Sequence, residues 1–374
     1  MIIKKIAVLL VAAIVSTSFI GCSSSTASKE IKIGLAAPLT GGSAQDGQSI
    51  QKGVELAVKM ANEAGTISGK TLSVVTVDDK GDPSEAATVA NKLAQDKSIA
   101  AIVGHFNSSA TLAGAPIYNS AGVAHISPGS SAASVTNAGD YTFRVITTDA
   151  VQGAYVADWA AKDLGAKKIA ILYENTDYGL GLAQVLQKSA GDVGASIVMQ
   201  EAYEVGASDF STVLTKMAST DADLLFIGGL YNETALIAKQ LKKFAMKDLK
   251  IMGVDAIYSD ALIELGGADV EGVLLTGYFH ESAENKVAQD FIAAYKKEYN
   301  ETPGTYAAYA YDATLIIIDA IKNVGNDRSA IQKYIAGLKD FQGATGVSTF
   351  DANGDVVKDP LRLTIKDGKF TIIK

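Results

Sequence analysis

The chain has 374 residues, 48% hydrophobic and 20% charged, the make-up of a folded globular protein and not of a disordered one. Its 33 basic and 41 acidic residues give a net charge of -8, with no Lys/Arg-rich stripe to neutralise phosphates, so nucleic acid is excluded as a partner. A chain of this length buries enough apolar surface to fold without disulfides or a metal.

At the N-terminus, Lys4 and Lys5 precede an apolar run from Ile6 to Val15, then small residues, then Phe19-Ile20-Gly21-Cys22. That is the order of a secretory signal, and the apolar run is too short to span a bilayer. Cys22 is the only cysteine and follows Gly21 directly. The context resembles the bacterial lipobox, with Phe19 where leucine is usual. The resemblance implies a lipoprotein signal over residues 1–21 and diacylation of Cys22 as the mature N-terminus. An ordinary cleaved signal with a bystander cysteine is the plainer alternative. Ser23 to Ser28 reads as a polar tether within residues 22–30. Loss of residues 1–21 leaves 31 basic against 41 acidic residues, a charge of about -10.

From Ile31 onward, short apolar runs alternate with amphipathic helices. Strands are expected at 31–37, 72–77 and 99–103, with helices over 48–64 and from Asp82-Pro83, where proline suits the first turn. A second series starts near Asp149: helix 149–164, strand 168–173, helix 178–193, strand 197–203, helix 209–219, strand 224–228, helix 232–245 and strand 250–253. Continuous apolar strands between helices mark parallel sheets covered on both faces. The predicted class is therefore α/β, with two doubly wound parallel-sheet lobes and no close sequence repeat between them. Helices near 284–299 and 305–323 and hairpin-like strands with an Asn353-Gly354 turn then break the rhythm. These are expected to cross back to the first lobe through several crossovers that form a hinge. The expected organisation is lobe 1 over 31–148 plus 279–355 and lobe 2 over 149–278 plus 356–374.

Catalytic and metal motifs are sparse. Gly179-Leu180-Gly181 lacks the third glycine of a dinucleotide fingerprint and reads as a helix-start turn. His105, His125 and His280 are the only histidines, none at metal-ligand spacing with another. Asp351 to Asp355 is too short for a calcium loop and reads as a hairpin turn. Asp78, Asp79 and Asp82 read as a solvated acidic turn. No serine sits in a nucleophile elbow. No cofactor or metal is expected.

Binding signals are stronger. Gly104-His105-Phe106-Asn107-Ser108-Ser109 follows a strand and opens a helix of about 109–120. In doubly wound sheets ligands lie beyond the carboxyl ends of strands, and a helix start offers free N–H groups suited to a carboxylate. Ser127-Pro128-Gly129-Ser130-Ser131 follows the next short strand. Serine capping explains either loop alone; two on neighbouring strands suit a binding site better. In the second series, Tyr178 could cover an aliphatic group and Asp255 could hold an ammonium. Anion donors on one lobe and a carboxylate on the other are what a zwitterionic amino acid requires.

With Ile33–Pro38, Asp78-Asp79-x-x-Asp82-Pro83, Gly104-His105-x-x-Ser108-Ser109, Ser127-Pro128, Ile169–Tyr178, Asp209-Phe210-Ser211 and Gly228-Gly229, the chain resembles the Leu/Ile/Val-binding protein family of branched-chain amino-acid ABC importers over nearly all of 31–374. The resemblance implies the type I periplasmic-binding fold, with Ser108 and Ser131 on the ligand carboxylate. It also implies that the Gly129 carbonyl, Ser131 and Asp255 hold the ammonium, with Tyr178 as a cover and Phe106 as an apolar wall. Four positions depart from the family. Asp46 stands in place of a tyrosine, Asn107 in place of a cysteine, Leu230 in place of a tyrosine with Tyr231 beside it, and Asp255 in place of glutamate. Head-group contacts carry over better than the side-chain pocket. Leucine, isoleucine or valine leads, and a polar or cationic side chain becomes plausible if Asp46 points inward.

The function these readings imply is a monomeric, lipid-anchored, extracytoplasmic substrate-binding protein that closes on an amino acid and delivers it to a membrane permease. An anchored sensor of the same fold, or a binder of another amino acid or small amide, are alternatives. A hydrolase using Ser108 with His105 lacks a third orienting group.

Overall fold

The computed structural model describes residues 29–244, 246 and 248–373; the signal, Cys22 and the tether to residue 28 lie outside the described residues. The first sheet holds β1 (Glu30–Ala37), β2 (Thr71–Asp78), β3 (Ile99–Val103), β4 (His125–Ser127) and β5 (Thr142–Arg144). Between them run α1 (Ala44–Glu63), α2 (Pro83–Gln95) and α3 (Ser108–Ala121). The order is β2-β1-β3-β4-β5, all parallel.

The chain then passes through α4 (Asp149–Asp158) to β6 (Lys168–Glu174), α5 (Asp177–Asp192), β7 (Ser196–Tyr203), α6 (Ser211–Ala218) and β8 (Leu224–Gly228). It continues through α7 (Tyr231–Leu241), β9 (Lys250–Met252), α8 (Asp260–Gly266) and β10 (Leu274–Gly277). These strands lie in the order β7-β6-β8-β9-β10, the arrangement of the first sheet repeated without a close sequence repeat.

Next come α9 (Lys286–Tyr299), α10 (Thr305–Val324), α11 (Arg328–Ala336) and the small hairpin of β11 (Phe341–Gly343) and β12 (Gly346–Ser348). The chain then returns to the second sheet, where β13 (Leu361–Lys366) pairs antiparallel with β10 and β14 (Lys369–Ile372) pairs antiparallel with β13. Three segments thus connect the two halves, and the first and third run side by side through the parallel Thr147–Val356 bridge.

Local chemistry accounts for these elements. Central strands β3 and β8 are buried at every residue, as strands covered by helices on both faces must be. Asp82 caps α2, its Oδ1 accepting from the Ser84 and Glu85 N–H groups at 2.8 and 2.9 Å, with Pro83 in the first turn. α10 is buried almost all round and lies on α1 so closely that a Cβ at Gly53 would sit 2.2 Å from the Ala307 carbonyl oxygen. That contact returns the C-terminal helices to the first half.

Several expectations need correction. The α-helix from Asp149 ends at Asp158 and continues as a π turn over Trp159–Asp163. The 232–245 helix ends at Leu241, followed by a 3-10 turn over Lys242–Phe244. Asn353-Gly354 does not close a hairpin. Asp351 Oδ1 collects the Asn353 and Asp355 N–H groups, folding the loop on itself, while the Gly354 carbonyl accepts from the Arg144 N–H. The hairpins turn instead at residues 344–345 and 367–368.

Candidate functional site

The loops at the carboxyl ends of β1 to β4 and of β6 to β9 face one another across a cleft. Its empty volume, open solvent at its mouth included, is about 690 Å³. Phe106, Asn107, Ser108, Gly129 and Ser131 line it from the first half, and Tyr178 and Leu230 from the second. Seven expected residues from distant parts of the sequence therefore share one cavity.

The floor of the first half is two interlocked loops. Asn107 is the N-cap of α3 and its side chain makes no capping bond, so the N–H groups of the first turn are left for another acceptor. Ser108 Oγ accepts from the Ala132 N–H at 3.2 Å, Ser127 Oγ donates to the His105 carbonyl at 2.6 Å, and Ser130 Oγ donates to the Phe106 carbonyl at 2.9 Å. Gly129 is required here, because a Cβ would fall 2.3 Å from the Phe106 ring. Phe106 itself stands edge-on to Tyr306, with centroids 4.8 Å apart.

The acidic turn before α2 is not solvated throughout. Asp79 is fully buried, and its Oδ2 meets His105 Nδ1 at 2.6 Å while His105 Nε2 meets the Tyr118 hydroxyl at 3.0 Å. Asp78 instead gathers the Leu39 and Lys80 N–H groups, each at 2.9 Å, and the Thr40 hydroxyl at 2.6 Å. These carboxylates hold the loops. His105 is thereby committed to Asp79 and Tyr118, and Ser108 to Ala132, so the two do not form a nucleophile–base pair.

Asp255 follows β9 in a 3-10 turn, and its neighbour Ala256 lines the cleft while Asp255 lies buried behind it. Burial pushes its pKa up to about 7, against weaker lowering by Gln152 and Tyr309. The Tyr309 hydroxyl donates to its Oδ2 at a long 3.4 Å.

Asp149 was expected only as a helix start, not as a site residue. It is fully buried, with its N–H donating to the Ser131 carbonyl at 2.8 Å. Neither of its carboxylate oxygens has a partner of hydrogen-bond geometry among the described residues, although the nearby Ser131 hydroxyl favours its charged form. Burial, and then the charge of Asp255, raise its pKa to about 7. An acid in the first turn of a helix is ordinary, so its spacing carried no signal.

Two further wall residues were missed as site residues. Tyr306, on the first turn of α10, lies in a helix expected only to cross back to the first lobe. Glu174, the last residue of β6, is pushed up to about 7 by burial and by Glu233. Asp46 and Tyr231 line a second, adjoining chamber instead of the first. Asp46 is buried and raised to about 8 by that burial.

Buried acids with raised pKa values, across the cleft wall from backbone N–H groups and hydroxyls, suit a small ligand carrying both an ammonium and a carboxylate. Residues 30–368 match the family model for periplasmic binding proteins. The Leu/Ile/Val-binding protein homolog 1 of Brucella abortus is 31% identical over 87% of each chain. The leucine-, isoleucine-, valine-, threonine- and alanine-binding protein of Pseudomonas aeruginosa is 31% identical over 89% of this chain and 88% of that one. Among solved structures, the leucine-binding protein LivK of Thermotoga maritima superposes with a TM-score of 0.87 at 32% identity, covering 92% of this chain and 98% of that one. The branched-chain amino acid transporter substrate-binding protein LivJ of Streptococcus pneumoniae, in complex with isoleucine, gives 0.86 at 33% identity over 92% and 99%. With the family model matching residues 30–368 and solved relatives superposing over 92% of the chain, this protein belongs to the extracytoplasmic periplasmic binding protein family, a family of solute binders and not of enzymes.

Proposed function

We propose that the chain captures a free α-amino acid in the cleft and delivers it to the membrane permease of an ABC importer. The observation that carries this reading is the juxtaposition of two kinds of group. The bare first turn of α3 and the hydroxyls of Ser108 and Ser131 offer donors to a carboxylate, while Asp149 and Asp255 lie buried, the Arg144 charge near Asp149 being paired with Asp355. An α-ammonium would return both acids to their charged forms.

In this reading, residues 31–148 plus 279–355 and residues 149–278 plus 356–374 are two lobes, and the three connecting segments are the hinge. Ligand settles on Ser108, Gly129 and Ser131, and closure brings Tyr178 and the region of Asp255 onto it. Contacts made only in the closed state drive that closure. The protein acts as a monomer held to the membrane by lipid on Cys22.

The names of the relatives place leucine, isoleucine and valine first among ligands to try. A second reading, an amino acid with a different side chain, is favoured by the buried Asp46. A thermal-shift screen of the purified protein against the twenty amino acids tests both readings, because a ligand that binds only the native state raises the melting temperature. One or a few amino acids raising it supports capture; none doing so overturns it.

A further inference from the structure

The head-group end of the cleft leaves open what the far end of the ligand meets. Gly42 and Tyr306 line both the main cleft and the adjoining chamber, so the two are neighbours across the Tyr306 ring. The adjoining chamber is larger, with an empty volume of about 1740 Å³, open solvent included. Asp46, in the first turn of α1, forms part of its wall.

Asp46 is only 3% exposed, and its Oδ2 has no hydrogen-bond partner among the described residues. The Thr305 hydroxyl, 1% exposed on the same wall, is also without a partner there. A buried carboxyl oxygen left without a partner costs free energy, and a cation placed beside it would favour the ionised form.

Further acceptors stand among the hydroxyls and amides on this side. Glu174 lines the main cleft, and the buried Oδ1 of Asn107, on the same cleft wall, has no partner among the described residues. Asp260, Glu264 and Glu301 line the outer part of the adjoining chamber.

The lysines nearby are already committed. Lys52 in the adjoining chamber pairs with Glu301 at 2.5 Å, and Lys80 at the rim of the main cleft pairs with Glu85 at 2.9 Å. A zwitterion with an aliphatic side chain brings one positive group, which Asp149 and Asp255 claim. It brings nothing for Asp46 or Glu174.

We infer that Asp46 is a specificity-determining residue and that the ligand is an α-amino acid whose long side chain ends in a cation. Such a side chain passes Leu230 and Tyr306 and meets Asp46, with Glu174 and Asn107 accepting along the way. This rests on the amino-acid reading of the same cleft and names the side chain that reading leaves open.

The test is calorimetric titration of lysine, ornithine, arginine, leucine, isoleucine and valine into the wild-type protein and into Asp46→Asn and Glu174→Gln. These isosteric amides keep the packing, and melting curves verify that each variant is folded. In the wild type at least one basic amino acid is expected to bind about tenfold or more tighter than leucine, the effect of one charge-assisted contact. Asp46→Asn is expected to shrink that ratio at least about fivefold. Leucine, isoleucine or valine binding tightest to the wild type overturns the side-chain assignment and leaves amino-acid capture standing. A ratio unchanged in Asp46→Asn removes Asp46 from the role. Binding of none of the six overturns this inference, and the twenty-amino-acid screen then decides whether capture itself stands.

Discussion

Arg144 Nε donates to Asp355 Oδ1 at 2.5 Å, joining strand β5 to the third segment that connects the two halves. The same guanidinium donates through Nη1 to the carbonyls of Ser130 at 3.2 Å and Ala132 at 2.7 Å, the residues flanking Ser131. Thr136 completes the ring, donating to Asp355 Oδ2 at 2.7 Å. One buried cation thus ties a ligand loop to a connecting segment, one residue before the Thr147–Val356 bridge.

Removing either partner strands the other charge in the interior. Asp355→Ala is therefore expected to lower the unfolding free energy by about 3–5 kcal/mol, read from urea denaturation, and to weaken amino-acid binding as the 130–132 loop loses its anchor. Asp355→Asn, which keeps an acceptor for Nε, should lose less. A loss within about 0.5 kcal/mol for Asp355→Ala would show the pair to be dispensable.

The two buried acids predict a pH dependence with a definite sign. Asp149 and Asp255 each titrate at about 7 in the folded protein against an ordinary 3.8. Between those values the folded chain holds more protons than the unfolded one, so their contribution to stability is greatest at low pH and is lost as pH rises through 7. A bound ammonium favours the ionised acids. Affinity should accordingly rise from about pH 5 to about pH 8, with protons released on binding across that window. His125, held neutral by burial down to about 3, acts oppositely on bare stability below its usual 6.5. The clean measurement is calorimetry in buffers of different ionisation enthalpy, with Asp149→Asn and Asp255→Asn alongside. A flat profile in the wild type would remove both acids from the ammonium site.

How much of this was legible in the sequence depends on what each residue's signal was. The strands were readable because β3 and β8 are unbroken apolar runs, and Asp82-Pro83 announced α2 through its own capping chemistry. Ser108, Gly129 and Ser131 could be grouped because loops after neighbouring parallel strands must converge. Asp79 was misplaced as a solvated turn because its partner His105 lies 26 positions away, and local composition cannot show that burial. Asp149 was hidden by being unexceptional at a helix start. Tyr306 and Glu174 reach the cleft only through the packing of α10 on α1 and the end of β6. The Asn353-Gly354 turn misled because a dipeptide suited to hairpins here serves Asp351 and Arg144.

The α1–α10 contact makes a prediction about both stability and site. A Cβ at Gly53 would meet the Ala307 carbonyl carbon at 3.0 Å as well as its oxygen at 2.2 Å, and backbone cannot swing aside as a side chain can. Gly53→Ala should therefore push α10 away from α1 at a cost of about 1–3 kcal/mol, despite alanine's better helix propensity. Because Tyr306 and Thr305 open α10, ligand affinity should fall as well. Unchanged urea midpoint and affinity would mean that the helices part without consequence.

Ser108→Ala separates a structural hydroxyl from a ligand-binding one. Ser108 Oγ accepts the Ala132 N–H at 3.2 Å and is 3% exposed, so alanine leaves a buried donor unpaired and should cost about 1–3 kcal/mol of stability. Among the described residues that hydroxyl donates to no acceptor, which leaves its proton free for a ligand in the cleft that Ser108 lines. If it is used so, the variant also loses about 1.5–3 kcal/mol of binding free energy, the range for a hydrogen bond to a charged group. Denaturation and calorimetry on the same preparation tell the roles apart. Stability lost with affinity intact would make Ser108 a brace for the 130–132 loop alone, and the carboxylate would then rest on the first-turn N–H groups of α3 and on Ser131.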